Sequence, residues 1–211
     1  MVATTKRTYR SALRARQAGE TRRRIVEAAG SLFSEHGYAG TTLAKIAAEA
    51  GVSPETVQAH GPKAALLRAA IEVAGFGTEG LDDAPQQDEA ARALLALSAD
   101  EMPAAVAAYL RALHEAVAGV TRALVGGAAN DPALRDYQRA MVANVREQWA
   151  GVFTHFADRG LVRGSQAFDD IVDEWCVLAG PETYLRLVDD YGWSGERYAA
   201  WLADKFRTFL A

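Results

Sequence analysis

The sequence predicts an all-α protein: an N-terminal three-helix, helix-turn-helix domain followed by a larger helical bundle. Three observations predict it. Apolar residues recur at spacings of three and four along most of the 211 residues, and no segment alternates as a half-buried strand would. Only 6 prolines interrupt the chain, which leaves room for long helices. Near the N-terminus, two short stretches with helix caps flank a single glycine, the arrangement of a helix-turn-helix.

The elements follow in order. Residues 1–19 carry no apolar periodicity and are expected to form a disordered basic arm. From Glu20, the stripe Ile25, Ala28, Ala29, Leu32 and Phe33 predicts a first helix that Gly37 stops. Thr41 or Thr42 can cap a second helix, with Leu43, Ile46, Ala47 and Ala50 inward. Gly51 makes a tight turn. Ser53 then caps a third helix with Pro54 at its first position, and Gly61 and Pro62 end it. A fourth helix runs from near Pro62 to about Ala74, broken by Gly75, Gly77 and Gly80. These assignments set a helix-turn-helix domain over 20–74 and a second helical domain over 75–211, beginning with an acidic, glycine-rich connection over 75–90.

Beyond the connection the pattern stays helical. A short helix is expected around Ala90–Leu97. Pro103 opens a long segment closed by Gly126 and Gly127, and Asp131 caps the next, which reaches Gly160. Asp169 precedes a segment interrupted by Gly180 and Pro181. Another continues to Tyr191, and Ser194 caps the last.

Charge is informative once it is divided. The whole chain carries −4, but residues 1–24 hold eight basic side chains, Lys6, Arg7, Arg10, Arg14, Arg16, Arg22, Arg23 and Arg24, against Glu20 alone. A basic arm on an acidic body suggests a polyanion partner at one end, or else a solvated tail. One cysteine excludes a disulfide framework and fits a reducing, cytoplasmic compartment. No apolar run approaches the roughly 20 residues of a membrane span. No His-x-x-x-His pair, nucleophile elbow or phosphate loop occurs. The acids Asp169, Asp170, Asp173 and Glu174 sit near a helix start, where acids are ordinary. An enzyme is therefore not expected, and no metal or cofactor is implied.

The stretch Gly37–Leu67 (GYAGTTLAKIAAEAGVSPETVQAHGPKAALL) resembles the DNA-binding domain of TetR-family transcriptional regulators. The matching elements are the opening G-Y-x-x-T-T, the I-A-x-x-A-G-V-S turn and the lysine at the start of the fourth helix. The tail Gly180–Asp204 is similar to the C-terminal end of many actinobacterial members. The resemblance implies a homodimer paired through its last helices, a double-stranded DNA operator, a small-molecule effector and repression as the family's habit. One departure stands out. Most members have a tyrosine where Gln58 stands, and the run from Val57 to Lys63 is one residue shorter, so the tyrosine's phosphate role does not transfer to Gln58.

The residues expected at DNA are Ser53, Pro54, Glu55, Thr56, Gln58 and His60 on the third helix, with Val52 and Val57 packed inward. Gln58 has the groups to bond an adenine edge in two places. Lys63 lies in the first turn of a helix, where a cation opposes the dipole and needs a partner such as a phosphate. Thr42, Lys45, Arg22, Arg23 and Arg24 are expected to hold the DNA backbone. For a ligand, Tyr109, His114, Tyr137, Met141, Trp149, Phe153, Trp175 and Cys176 are the candidates, each also readable as plain core. Two other readings stay open: an effector-independent DNA-binding dimer with a filled core, and a helical interaction protein whose N-terminal part no longer binds specific DNA.

Overall fold

The computed structural model describes residues 16–80, 93–94, 96–163 and 167–211, and the helical backbone of residues 3–15. Nine helices follow one another among them: α1 (Ala3–Gly40), α2 (Leu43–Ala50), α3 (Pro54–Ala59), α4 (Lys63–Phe76), α5 (Met102–Ala128), α6 (Pro132–Asp158), α7 (Phe168–Leu178), α8 (Pro181–Tyr184) running into a π-helical turn (Leu185–Asp190), and α9 (Gly195–Phe209). The described β pairing is one isolated antiparallel bridge, Val162 to Leu210, which ties the segment after α6 to the C-terminus.

The expected caps form. Thr42, rather than Thr41, caps α2 by accepting from the Lys45 N–H. Ser53 caps α3, Asp131 caps α6 and Ser194 caps α9. Three boundaries differ from the sequence reading. The first helix begins far upstream of Glu20, because a helix needs propensity rather than an apolar stripe, and alanine, arginine and glutamine supply it. The side chains of Lys6, Arg7, Arg10 and Arg14 lie outside the described residues. Gly75 does not break α4; it sits inside the helix where a Cβ would press on Val117 and Leu113 of α5 at 3.3 and 3.4 Å. Gly126 and Gly127 likewise continue α5 to Ala128. Gly37 behaves as expected and breaks helical geometry with φ of 68°. Of the short helix expected around Ala90–Leu97, residues 93–94 are helical and 96–97 form a turn and bend, while residues 81–92 and 95, and with them most of the 75–90 connection, lie outside the described residues.

Two cores share one long helix. The first gathers Ile25, Ala29 and Phe33 of α1, Ile46 of α2, Val57 of α3 and Leu66 and Leu67 of α4. It continues without a gap into Val117, Val120 and Leu124 of α5 and Leu134 of α6. The second gathers Met102, Val106 and Leu110 from the first half of α5 with Phe153, Phe156, Trp175, Tyr198, Leu202 and Phe206. Packing thus divides along α5, between His114 and Val117, and not at the end of α4.

The α1–α5 crossing is close. A Cβ on Gly119 would lie 2.5 Å from the Ser34 side chain, and one on Gly127 would lie 2.8 Å from the Tyr38 ring. Tyr38 also joins three elements. Its hydroxyl donates to Asp131 Oδ2 at 2.5 Å, and the Lys63 ammonium sits 3.9 Å over its ring. Lys63 Nζ donates as well to the carbonyls of Tyr38 and Thr41, at 2.9 and 3.1 Å. Burial and the Asp131 contact push the Tyr38 phenol above its ordinary range, and the Tyr38 hydroxyl chiefly holds the Asp131 carboxyl below its own.

Two predictions follow from this crossing. Gly119→Ala should destabilise the protein by about 1–2 kcal/mol, the strain of overpacking exceeding the helix-propensity gain. Gly126→Ala, with open space around it, should instead stabilise by up to about 1 kcal/mol; denaturant unfolding of both variants checks the opposite signs. The second concerns pH. A carboxyl whose folded pKa is depressed adds stability that is present above its unfolded pKa and is lost as pH falls through the folded one. The stability difference between the parent and Tyr38→Phe, on the order of 1 kcal/mol at pH 7, should therefore shrink as pH is lowered below the ordinary aspartate range.

Candidate nucleic-acid interface

The α2–α3 pair is built by its sequence punctuation. Thr41 is fully buried and donates to the Leu32 or Gly37 carbonyl at the end of α1, which sets where α2 begins. Gly51 takes φ of 66°, and its N–H closes α2 on Ala47 and Ala48. The Val52 N–H then returns to the Ala47 carbonyl at 3.0 Å, and α3 starts two residues later. Ile46, Ala47 and Val57 are buried and fix α3 across α2. Val52 is half-buried against the same core.

This leaves one face of α3 outward. Pro54, Glu55, Gln58 and Ala59 are exposed, and Thr56 and His60 half-exposed. Ser53 is exposed, but its hydroxyl caps the Thr56 N–H at 3.2 Å and lies 3.2 Å from the Thr56 hydroxyl. Glu55, in the first turn, has its carboxyl held below the ordinary range by the backbone N–H and the Ser53 hydroxyl. Thr42 and Lys45 are exposed at the start of α2, with Lys45 Nζ 2.8 Å from the Gly40 carbonyl. Arg23 and Arg24 are exposed on α1, and Arg23 lies 4.0 Å from Glu27.

Two expected phosphate-binding cations have partners inside the protein. Lys63 does have the partner that its position at a helix start demands, but the partner is internal: two carbonyls near the end of α1 and the face of Tyr38. Arg22 is half-buried, and its guanidinium pairs with Glu79 and donates to the His60 carbonyl. Sequence reasoning missed Tyr38 and Glu79 as partners. Neither has a local signal, since each acts on a residue 25 or more positions away in the chain.

The eight ligand candidates do not share one site. Tyr137 and Met141 pack against the first core, and burial beside Glu72 pushes the Tyr137 phenol up to about 12. Tyr109, Trp149, Phe153, Trp175 and Cys176 belong to the second core. There the rings of Trp149, Phe153, Trp175 and Phe206 stand 4.7 to 6.4 Å apart. His114 is buried, and its Nδ1 shares a 3.0 Å hydrogen bond with the Tyr198 hydroxyl. Burial pushes its pKa down to about 4, so it is neutral near pH 7. Burial also pushes the half-buried Cys176 thiol up, away from reactivity. The acidic residues Asp169 and Asp173 form ion pairs with Arg146, and no group of metal-ligating side chains occurs among the described residues. Nor is any helix among them long and apolar enough to cross a membrane.

Comparison with known proteins agrees with this architecture. Residues 25–70 match the family described as bacterial regulatory proteins, tetR family. A transcriptional regulator from Saccharomonospora viridis, in complex with choline, superposes with a TM-score of 0.70 at 20% identity, over 92% of this chain and 99% of that one. The SmeT–triclosan complex gives 0.70 at 20% identity, over 91% and 92%. NalD, the secondary repressor of the MexAB-OprM multidrug efflux pump in Pseudomonas aeruginosa, gives 0.64 at 20% identity, over 92% and 98%. No curated protein matches the chain in sequence. The family match covers α1 to α4, the helix-turn-helix whose caps and buried contacts are in place, so this part of the chain is similar to the DNA-binding part of tetR-family bacterial regulatory proteins, and the chain as a whole shares the fold of the solved structures.

Proposed function

We propose that the chain works as a homodimer that represses transcription from a palindromic operator and responds to a small molecule. The observation that carries the DNA reading is the outward face of α3, where polar Glu55, Thr56, Gln58 and His60 stand opposite a fully buried Val57. In a symmetric dimer two such helices enter successive major grooves about 34 Å apart. Gln58 bonds an adenine edge, and Glu55 accepts from a cytosine amino group. Arg23, Arg24, Thr42 and Lys45 hold phosphates on either side, and the basic arm over residues 1–19 adds to them. Arg22 and Lys63, already engaged inside the protein, leave the contact set.

Residues 20–74 act as the DNA-binding unit and 75–211 as the unit for ligand and dimer. A ligand that prefers the non-binding arrangement releases DNA through a coupling of about 1–3 kcal/mol, roughly 5–150-fold in affinity. That choline and triclosan are bound by similar folds supports a small-molecule response. A second reading has its own support. The close ring packing around Trp175 fills the space where a ligand was expected, which favours a dimer that binds DNA with no effector.

Selection of bound sites from random duplex DNA at near-physiological salt should enrich a palindrome. Binding with no enriched sequence, vanishing as salt rises, would overturn specific recognition. On the enriched site, Gln58→Ala should relax the preference at one position of each half-site, losing about 1–3 kcal/mol of discrimination. Arg24→Ala should weaken binding to all sequences alike and lower the salt slope by about 1 per subunit.

A further inference from the structure

Past α4 the chain turns back on the DNA-binding head. Gly77, at φ of 77°, closes α4 on the Val73 carbonyl. Gly80, at φ of 78°, donates its N–H to Glu72 Oε2 at 2.8 Å, and Glu72 is itself buried and held by Arg68 Nε at 2.7 Å. Between these two anchors Glu79 faces α1. There Arg22 Nε and Nη2 donate to Glu79 Oε2 at 3.0 and 2.7 Å, and Arg22 Nη1 donates to the His60 carbonyl at 2.7 Å. Both side chains are more than two-thirds covered, at 24% and 31% exposure. One guanidinium therefore joins α1, the turn after α4 and the residue that caps the C-terminal end of α3.

The need for such a strut is local. Helix α3 has only six residues; its Val57 and Gln58 carbonyls accept from the His60 and Gly61 N–H groups, and the carbonyl of the cap residue His60 is the one that Arg22 takes. A cation there satisfies one carbonyl and opposes the negative end of the helix dipole. An arginine fork does this and still binds a carboxylate in two places, which fixes its direction; a lysine cannot do both. Glu79 also neutralises the charge, so the pair brings no net positive charge toward a phosphate.

We infer that Arg22 is a positioning residue for DNA recognition: anchored by Glu79, it holds the C-terminal end of α3 at the angle from which Gln58 reads the groove. This rests on the DNA-binding reading above. The competing role, in which Arg22 leaves Glu79 for a DNA phosphate, predicts the opposite sign for one variant. If Glu79 anchors a strut, Glu79→Gln weakens binding to the selected site, by roughly five- to thirtyfold, and leaves binding to a scrambled duplex nearly unchanged. If Glu79 competes with phosphate, Glu79→Gln tightens binding to both.

The full-length protein, Glu79→Gln, Arg22→Lys and Arg22→Met should be titrated against the enriched duplex and a scrambled duplex of the same length, across a range of salt. Denaturant unfolding first establishes that each variant is folded. The strut predicts that all three variants lose the ratio of specific to scrambled affinity while the salt slope stays at the parent value. Tighter binding by Glu79→Gln, or retention of parent affinity by Arg22→Lys with a slope reduced by about 1 per subunit in Arg22→Met, would overturn it in favour of a phosphate contact. A parent protein that enriches no site overturns the DNA-binding reading itself, and this role with it.

Discussion

The structure depends on one close crossing, that of α1 over α5. Gly119 lies beneath Ser34 and Gly127 beneath Tyr38, and neither place has room for a Cβ. Helix α5 is 27 residues long, about 40 Å, and both cores are built on it. Its second half completes the core of the DNA-binding head, and its first half belongs to the aromatic core. The head therefore does not hang from a flexible joint at the end of α4. Interiors packed to this density pass a displacement on instead of absorbing it. A shift of α5 relative to the aromatic core would be felt by α1, and through Ile46 and Val57 by the recognition helix.

The same crossing explains where the cations of the head point. A lysine at the start of α4 is electrostatically misplaced until its surroundings are counted. The broken end of α1 at Gly37 directs the Tyr38 and Thr41 carbonyls toward it, and Tyr38 offers its ring. Tyr38 in turn donates to Asp131, the cap of α6. Charge that the sequence suggests is available to DNA thus joins α1, α4 and α6. Arg23, Arg24 and Lys45, by contrast, keep exposed side chains.

Local signals in the sequence were sufficient for most of the fold. Caps at Ser53, Asp131 and Ser194 and the left-handed glycines at 37 and 51 act within four residues of themselves, so one sequence reveals them. The outward face of α3 was legible for the same reason, since burial of Val57 leaves only one orientation for a six-residue helix. Gly75 and Gly127 misled, because a glycine that ends a helix and a glycine that admits a neighbouring helix look alike without the neighbour. The roles of Arg22 and Lys63 were illegible on the same ground. Arginine and lysine side chains are long, and their partners 57 and 25 residues away decide which way they point.

The C-terminal half shows how a helical stripe constrains a ligand site. Tyr137 and Phe153 both lie on α6, sixteen residues apart, or about 24 Å along its axis. The two ends of that stripe therefore pack in different cores, Tyr137 and Met141 against the first and Trp149 and Phe153 in the second. The two ends also differ in chemistry. At the Tyr137 end the buried Glu72 carboxylate accepts from Arg68 and Gly80. At the other end the Trp175 Nε1 is, among the described residues, the one buried side-chain polar atom without a hydrogen-bond partner. Trp175 makes T-shaped contacts with the rings of Trp149 and Phe206, which are weak hydrogen-bond acceptors. A buried donor left in that state costs on the order of 1–3 kcal/mol, which a molecule bringing an acceptor there would recover. Entry would require the rings of Trp149 and Phe206 to part, and both lie in the core built on the first half of α5. Of the two ends, the aromatic one is thus closed by its own rings, and those rings rest on the same helix that completes the first core.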